Sequence, residues 1–513
     1  MTVVPWGHDF AVLAARHGDR PAVGHGDETC SFAALMAQAA GVARQLRQTG
    51  GCAGVPIATF LRNGLPAVWA SYGLILAGAC ETALNPHLGD DELRHCLALA
   101  GARRVITDRA AAGRFRDLPV ELLLVEDLAE HPATIDPTWA APAGDWGKLI
   151  FTSGTTGKPK GIVYSHHGRW LANLMLRAHL PFTPEPGSRV LLMTPFSHGA
   201  SLLTYAFLDQ GAAVELLEGV DTDRVRALLD RGAVDCLFAP PTVLAKLTAS
   251  FEGARFEGLR TIFTGTATLS PALYRRTRAM FGPIVRVTYG KSEIFNPITV
   301  LQPADCDAFY SRAETPTGVS LGWPASGVEI AIRDEQGAAL APGEIGEIHL
   351  RARHMLLGQI DAGGFQAQGD EFHATGDLGR VDPSGALFLC GRARDLIKSG
   401  GYKVYPEEIE SALAGAAGNA PLVVVGVSSD YWGQIVVAVA EAPPADWPGR
   451  GAAAVAGLTR FKQPRAFLAL PLLPRGGQDK LQRGKVLDQL AARFRLIDGP
   501  HPRFEPIAGD DAP

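Results

Sequence analysis

Apolar residues recur at helical spacing over 31–48, where Phe32, Leu35, Ala39 and Val42 share one face behind a Ser31 cap. The apolar run 55–60 then reads as a strand, 65–80 as a buried helix, 90–100 as a helix and 104–107 as a strand. The alternation returns further on, with strands at 189–193, 213–217 and 234–238 and helices at 199–210 and 221–231. Strands alternating with helices of this length predict parallel α/β layers. Residues 131–147, rich in Pro, Ala and Gly, read as a loop or linker before a strand at 149–152. From about 318 to 391 the texture changes to short strands between turns such as D-E-Q-G and D-P-S-G, which predicts a small β subdomain. Beyond lie a helix at 405–415, strands at 421–427 and 434–440, a Pro/Ala/Gly-rich interruption at 442–457, a helix at 485–495 and a loose Pro/Asp-rich tail. A domain boundary falls near 391–395.

The 65–80 stretch is the most membrane-like in the chain. It falls short of the ~20 residues a spanning helix needs and carries a Pro and two Gly. The N-terminus lacks a basic start followed by an apolar run, so no signal peptide is expected. The seven cysteines, at 30, 52, 80, 96, 236, 306 and 390, are scattered, odd in number and never spaced C-x-x-C. That argues against a disulfide framework or a zinc site and for thiols in a reducing cytoplasm. With 513 residues, 47% hydrophobic, the chain can bury the cores of two or three domains. Its 48 Lys and Arg against 53 Asp and Glu leave a net charge of −5 and no electrostatic footprint for nucleic acid. Oligomeric state is not legible in it.

The run from Thr152 to Gly161 reads T-S-G-T-T-G-K-P-K-G and follows Leu149, Ile150 and Phe151. A Gly/Ser/Thr loop after a strand offers backbone N–H groups and hydroxyls to phosphate oxygens, and two lysines add neutralising charge. It is not a Walker A loop: two residues, not four, separate its glycines, and Pro159 follows the first lysine. The bland alternative is a flexible surface turn.

Phe151 to Gly161 resembles the signature loop of the acyl-adenylate-forming superfamily, which includes acyl- and aryl-CoA synthetases, adenylation domains and beetle-type luciferases. Five further segments resemble the family's motifs in family order. Thr194-Pro195-Phe196-Ser197-His198 is similar to the segment beside the carboxylate pocket, Gly265-Thr266-Ala267 to the one lying against adenine, and Tyr289-Gly290-Lys291-Ser292-Glu293 to Y-G-x-T-E. Thr375-Gly376-Asp377-Leu378 matches T-G-D-L, and Gly391-Arg392 opens the family hinge and the glycine-rich loop after it. Lys480 stands where the catalytic lysine belongs, with Asp479 replacing the preceding Gly; Lys485 is the competing candidate.

The resemblance implies an α/β fold: a large N-terminal domain (1–391) of layered α/β subdomains plus the small β subdomain, a hinge at 392–395, and a small mobile α+β C-terminal domain (396–513) carrying the lysine. It implies ATP-dependent activation of a carboxylic acid to an acyl-adenylate, followed by transfer to the CoA thiol. The catalytic set would be Lys480, His198 and Thr155. ATP would be bound by Thr152, Ser153, Gly154, Thr156, Gly157, Lys160, Gly265, Thr266, Ala267, Tyr289, Gly290, Ser292, Asp377 and Arg392. Glu293 would hold Mg²⁺, as a carboxylate suits a hard cation. Asp377 would accept from both ribose hydroxyls, two acceptor oxygens for a vicinal diol. The acid pocket would involve Phe196, His198, Ser201, Tyr205, Gly265, Gly290 and Lys291. CoA would meet Gly400, Gly401, Phe461, Lys462 and Arg465, and Arg394 would be the hinge. Gly199 stands where amino-acid-activating domains carry an Asp, so an α-amino acid is not expected, since nothing would compensate a buried ammonium. An aromatic or compact acid suits the mixed pocket composition. Two alternatives stay open: transfer to a carrier-protein phosphopantetheine or another nucleophile, and a nucleotide-binding fold without turnover.

Overall fold

A computed structural model of the chain describes residues 2–153, 159–265, 267–312, 318–418, 420–475 and 481–507. The chain condenses into two compact units. One comprises Met1–Arg312, Leu321–Glu329 and Leu350–His373; the other comprises Ala313–Ser320, Ile330–His349 and Ala374–Pro513.

The first unit is built on two sheets. Its amphipathic helix Phe32–Gln48 starts as the sequence predicts, with the Ser31 hydroxyl accepting from Ala34 N–H at 3.2 Å. Phe32, Leu35, Ala39 and Val42 all face the core. The neighbouring helix Leu65–Ala77 is buried all round, which is what a uniformly apolar stretch requires in water. It ends at Gly78, earlier than the pattern implies, and the residues that follow form the strand Cys80–Ala83. No helix among the described residues is long and apolar enough to cross a membrane.

An eight-stranded sheet runs in the order Gly364–Ala367, Gly358–Asp361, Pro159–Ser165, Trp146–Ser153, Cys80–Ala83, Pro56–Phe60, Arg104–Thr107, Glu121–Leu124. Gly358–Asp361 and Gly364–Ala367 thus join this sheet and not the small β layer expected between 318 and 391. The 131–147 linker also holds structure: Ala141–Pro142 pairs with Val3–Val4, and the following strand begins at Trp146. The second sheet has seven strands, in the order Val285–Val287, Thr261–Thr264, Cys236–Phe238, Arg189–Leu192, Ala213–Leu216, Pro21–His25, Glu28–Ser31. All but the last run parallel.

Strands Leu387–Arg392, His373–Val381, Gly346–Ala352 and Val328–Arg333, most of whose residues fall in the second unit, lie side by side. A further sheet joins Leu422–Ser429, Gly433–Glu441, Ala466–Leu470 and the hairpin Ile397–Ser399/Tyr402–Val404. Two sequence expectations change here. The 442–457 interruption contains the helix Trp447–Ala454, whose proline sits in the first turn, where a missing N–H costs nothing. The expected loose tail supplies the strand Arg503–Pro506, which pairs with Phe494–Ile497, where the expected helix at 485–495 has already ended.

Candidate active site

Three of the motif segments leave the carboxyl ends of parallel strands in the seven-stranded sheet. Thr194–His198 follows Arg189–Leu192, Gly265 follows Thr261–Thr264, and Tyr289 follows Val285–Val287. Arg189–Leu192 is also where the winding reverses: the next strand in sequence packs on one side of it and the one after on the other. Crevices at such reversals, beyond the carboxyl ends, are where open parallel sheets bind ligands. Residues distant in sequence therefore share one edge of the sheet.

The turn Phe196–Ala200 is a single π-type turn with His198 at φ −118° and ψ −141°, outside the helical region. Asn63 clamps its approach. Its side-chain oxygen accepts from Phe196 N–H at 2.7 Å, and its amide donates to the carbonyls of Thr194 (2.9 Å) and Leu217 (2.8 Å). The Asn85 amide nitrogen lies 3.4 Å from His198 Nε2. On the far side of the turn Ser201 Oγ donates to the His198 carbonyl at 2.8 Å. A Cβ on Gly199 would meet the Phe238 ring at 3.5 Å.

Gly265 packs so closely on Thr288 that a Cβ would lie 2.8 Å from its carbonyl oxygen, which brings the 265 turn beside the 289 turn. Tyr289 is buried and donates its N–H to Thr299 Oγ1 at 3.2 Å, whereas Ala267 and Gly290 are exposed. Tyr164 donates its hydroxyl to the Ser292 carbonyl and stacks on Phe295 at 3.7 Å. Lys291 pairs in a short bridge with Ile294.

The predicted phosphate loop joins the antiparallel strands Trp146–Ser153 and Pro159–Ser165, with Thr152 opposite Lys160 and Ser153 opposite Pro159. Lys160 Nζ lies 3.5 Å from Glu293 Oε1 and 3.0 Å from Gln359 Oε1. The structure thus brings together the lysine expected at the phosphates and the carboxylate expected at the metal. Gly154, Thr155, Thr156, Gly157, Thr266 and Lys480 lie outside the described residues.

Do these residues fit a nucleotide and its metal? The hydroxyls of Thr152, Thr194, Ser197 and Thr264 are buried and have no hydrogen-bond partner among the described residues. Each sits at a strand end that bears a motif. Buried hydroxyls without partners are costly, and phosphate or ribose oxygens would satisfy them. No group of three or more His, Cys, Asp and Glu side chains among the described residues forms a metal cage. One carboxylate, Glu293, fits Mg²⁺, which usually keeps waters and substrate phosphates as its other ligands.

The remaining predicted residues belong to the second unit. Asp377 and Arg392 are cross-strand partners, 3.6 Å apart at Oδ1 and Nε, beside a register shift at Leu378/Gly379. The Asp377 side chain is 8% exposed and that of Arg392 45% exposed. Thr375 Oγ1 fastens the strand by donating to the Ile348 carbonyl at 2.7 Å. Arg394 is exposed, its Nε 3.6 Å from Asp395. Gly400 and Gly401 (φ 57° and 84°) make the two-residue turn of the Ile397–Ser399/Tyr402–Val404 hairpin, where two consecutive positive φ angles call for glycine. Phe461 stacks on exposed Tyr402 at 4.3 Å and 9°. Arg465 lies 3.8 Å over Trp432, while Lys462 is ion-paired to Glu408 at 2.7 Å.

Sequence reasoning missed a buried ion cluster behind the His198 turn. Glu81 Oε2 meets Arg169 at 2.5 Å and Lys148 at 3.2 Å, all three side chains being 2–4% exposed. Ser71 donates to Glu81 Oε1 at 2.9 Å. Arg169 also donates to the Tyr205 hydroxyl at 2.6 Å, so that hydroxyl, expected at the acid pocket, is engaged in the core. Ser201 is buried as well, 3.4 Å from Lys148 Nζ. Burial brings the Lys148 ammonium down to about 8 despite Glu81 beside it. Burial works against the Glu81 carboxylate too, but the two cations outweigh it and hold it at about 2. The available signal was a lysine inside the apolar run 146–153.

Residues 10–358 match the AMP-binding enzyme family. A sulfoacetate–CoA ligase of Cupriavidus necator is 30% identical over 509 residues, covering 93% of this chain and 96% of that protein. An o-succinylbenzoate CoA synthetase from Bacillus subtilis, solved with its acyl-adenylate intermediate, superposes with a TM-score of 0.81 at 27% identity over 95% of this chain and 98% of that one. The same synthetase solved with ATP and magnesium gives 0.81 at 26% identity, covering 93% and 98%. Motifs, strand-end geometry and these likenesses agree, and the chain belongs to the AMP-binding enzyme family of acyl-adenylate-forming ligases.

Proposed function

We propose that the protein is an AMP-forming acid–CoA ligase acting on an aromatic or compact carboxylic acid. The observation that carries this reading is the meeting of Lys160 with Glu293, together with motif segments whose Thr152, Thr194, Ser197 and Thr264 hydroxyls are buried without partners among the described residues. Attack of a carboxylate oxygen on the α-phosphorus of ATP brings two anions together and expels pyrophosphate. Fixed cations must therefore stand ready where charge concentrates. Lys160 and the 152–161 loop bind phosphate oxygens, Tyr289 lies against the base, and Ser292 contacts the α-phosphate. Asp377 and Arg392 hold the ribose and phosphate side of the nucleotide. Mg²⁺, held by Glu293, supplies Lewis acidity toward the phosphates. His198 and Phe196 orient the acid, and Gly199 offers no carboxylate for an α-ammonium.

Lys480, on the 396–513 domain, stabilises the first half-reaction. Rotation about Arg394 exchanges it for Gly400 and Gly401, beside which Phe461, Lys462 and Arg465 receive CoA. CoA is favoured over a carrier protein as acceptor because the similar enzymes are named as CoA ligases.

A panel of carboxylic acids with ATP, with and without CoA, tests the reading. Acid-dependent pyrophosphate release and CoA-dependent thioester formation are expected. Thioester formation that needs a phosphopantetheinylated carrier protein instead of CoA supports the carrier alternative. No acid-dependent release overturns the assignment. Lys480→Ala should abolish adenylate formation while sparing thioester formation from supplied acyl-adenylate. Equal loss of both half-reactions removes the role given to Lys480.

A further inference from the structure

Behind the His198 turn, two buried cations share one buried carboxylate, and nothing in the reaction so far uses them. We infer that Lys148 is a positioning residue for the acid-binding turn: through Ser201 it holds the His198 carbonyl and tethers the Phe196–Ala200 turn to the ion cluster. The inference rests on the reading of that turn as the acid site.

The geometry runs in one line. Glu81 and Lys148 are direct partners in the parallel pairing of Cys80–Ala83 with Trp146–Ser153, so the salt bridge fixes the ammonium. Lys148 Nζ reaches Ser201 Oγ at 3.4 Å, and Ser201 Oγ spends its proton on the His198 carbonyl at 2.8 Å. That carbonyl accepts from Ser201 twice, from its backbone N–H and from its Oγ, so Ser201 anchors the peptide at which His198 leaves the helical region. Asn63 fixes the entry to the turn; the Lys148–Ser201 link fixes its exit. The cluster also carries a surplus positive charge in a low-dielectric setting beneath a site that must attract an anionic acid.

The groups facing Lys148 are Glu81 and Cys80 on one strand, Arg169 on the helix His166–Ala178, and Ser201 and Tyr205 on the helix Ser201–Leu208. Of these, Lys148 is the group that loses its charge near pH 8, so the tether should weaken as pH rises through that value.

Hydrogen exchange on the full chain tests this, read in peptides covering 194–205 and compared with 285–300. Ser201→Ala and Lys148→Met should each speed exchange in the first segment by about tenfold at pH 7 and leave the second unchanged. After correction for intrinsic rates, wild-type protection of 194–205 should fall between pH 7 and 9, and Lys148→Met should abolish that dependence. Exchange within about twofold of wild type in Ser201→Ala, or a pH dependence that survives in Lys148→Met, overturns the inference. If Lys148→Met does not fold, Ser201→Ala and the wild-type pH series decide. Acid-dependent pyrophosphate exchange adds a second readout: KM for the acid should rise about tenfold in Ser201→Ala while KM for ATP stays within about twofold. Equal rises in both count against it. If no acid in the panel supports exchange at all, the acid-activating assignment fails, and the hydrogen-exchange result still decides the tether.

Discussion

The two units solve the problem of buried charge in opposite ways. In the first, Lys148 and Arg169 share Glu81, leaving one positive charge too many. In the second, Arg483 is shared by Asp395 at 3.0 Å, Glu410 at 2.7 Å and Glu407 at 3.3 Å, leaving negative charge in excess. The surplus decides which group titrates. In the cationic cluster burial brings Lys148 down to about 8. In the anionic cluster burial raises Glu407 to about 7, against the pull of Arg483. The lesson is that the minority ion is the keystone, and one member of the majority is the pH-sensitive part.

The pH signs follow. A lysine whose folded pKa lies below its unfolded value binds fewer protons when folded, so the first unit gains stability as pH rises from about 8 toward the ordinary lysine value. A carboxyl raised above its unfolded value does the reverse. The contribution of Glu407 is present below about 4.5 and lost as pH rises through about 7.

The comparison can be broken most sharply at its keystones. Glu81→Gln leaves two buried cations without a counter-ion and should cost about 3–5 kcal/mol, read as loss of protection in the first unit only. Arg483→Met should cost about 2–3 kcal/mol in the second unit, less because its side chain is 22% exposed, and the loss should shrink on acidification as the carboxyls take up protons. Glu407→Gln sharpens the contrast. It should stabilise the second unit by about 2 kcal/mol at pH 8 and flatten its stability between pH 5 and 8; a slope that persists assigns the titration to another group. Ser71→Ala leaves every charge in place but removes the hydroxyl that donates to Glu81 at 2.9 Å and meets Arg169 at 3.3 Å and Tyr205 at 2.6 Å; it should cost about 2 kcal/mol, measured by urea unfolding.

Periodicity and capping made the helix Phe32–Gln48 legible, and uniform apolarity announced Leu65–Ala77 as buried. Composition misled where it was read as a breaker. Pro, Ala and Gly in 442–457 permit a short helix when the proline takes the first turn. The six motifs could be read singly, but their convergence could not. Residues 194, 265 and 289 come together because three parallel strands end on one edge, a fact of strand order that local sequence does not carry. The Glu81–Lys148 pair depends on strand register and was equally hidden.

That pair has a consequence for descent. Glu81, Lys148 and Arg169 sit on two strands and a helix separated by long stretches of chain, yet each is tolerable in the core only beside the others. Stepwise replacement would pass through a chain with an orphaned charge. The three positions should therefore be inherited or lost as a block, charged together in some lineages and apolar together in others.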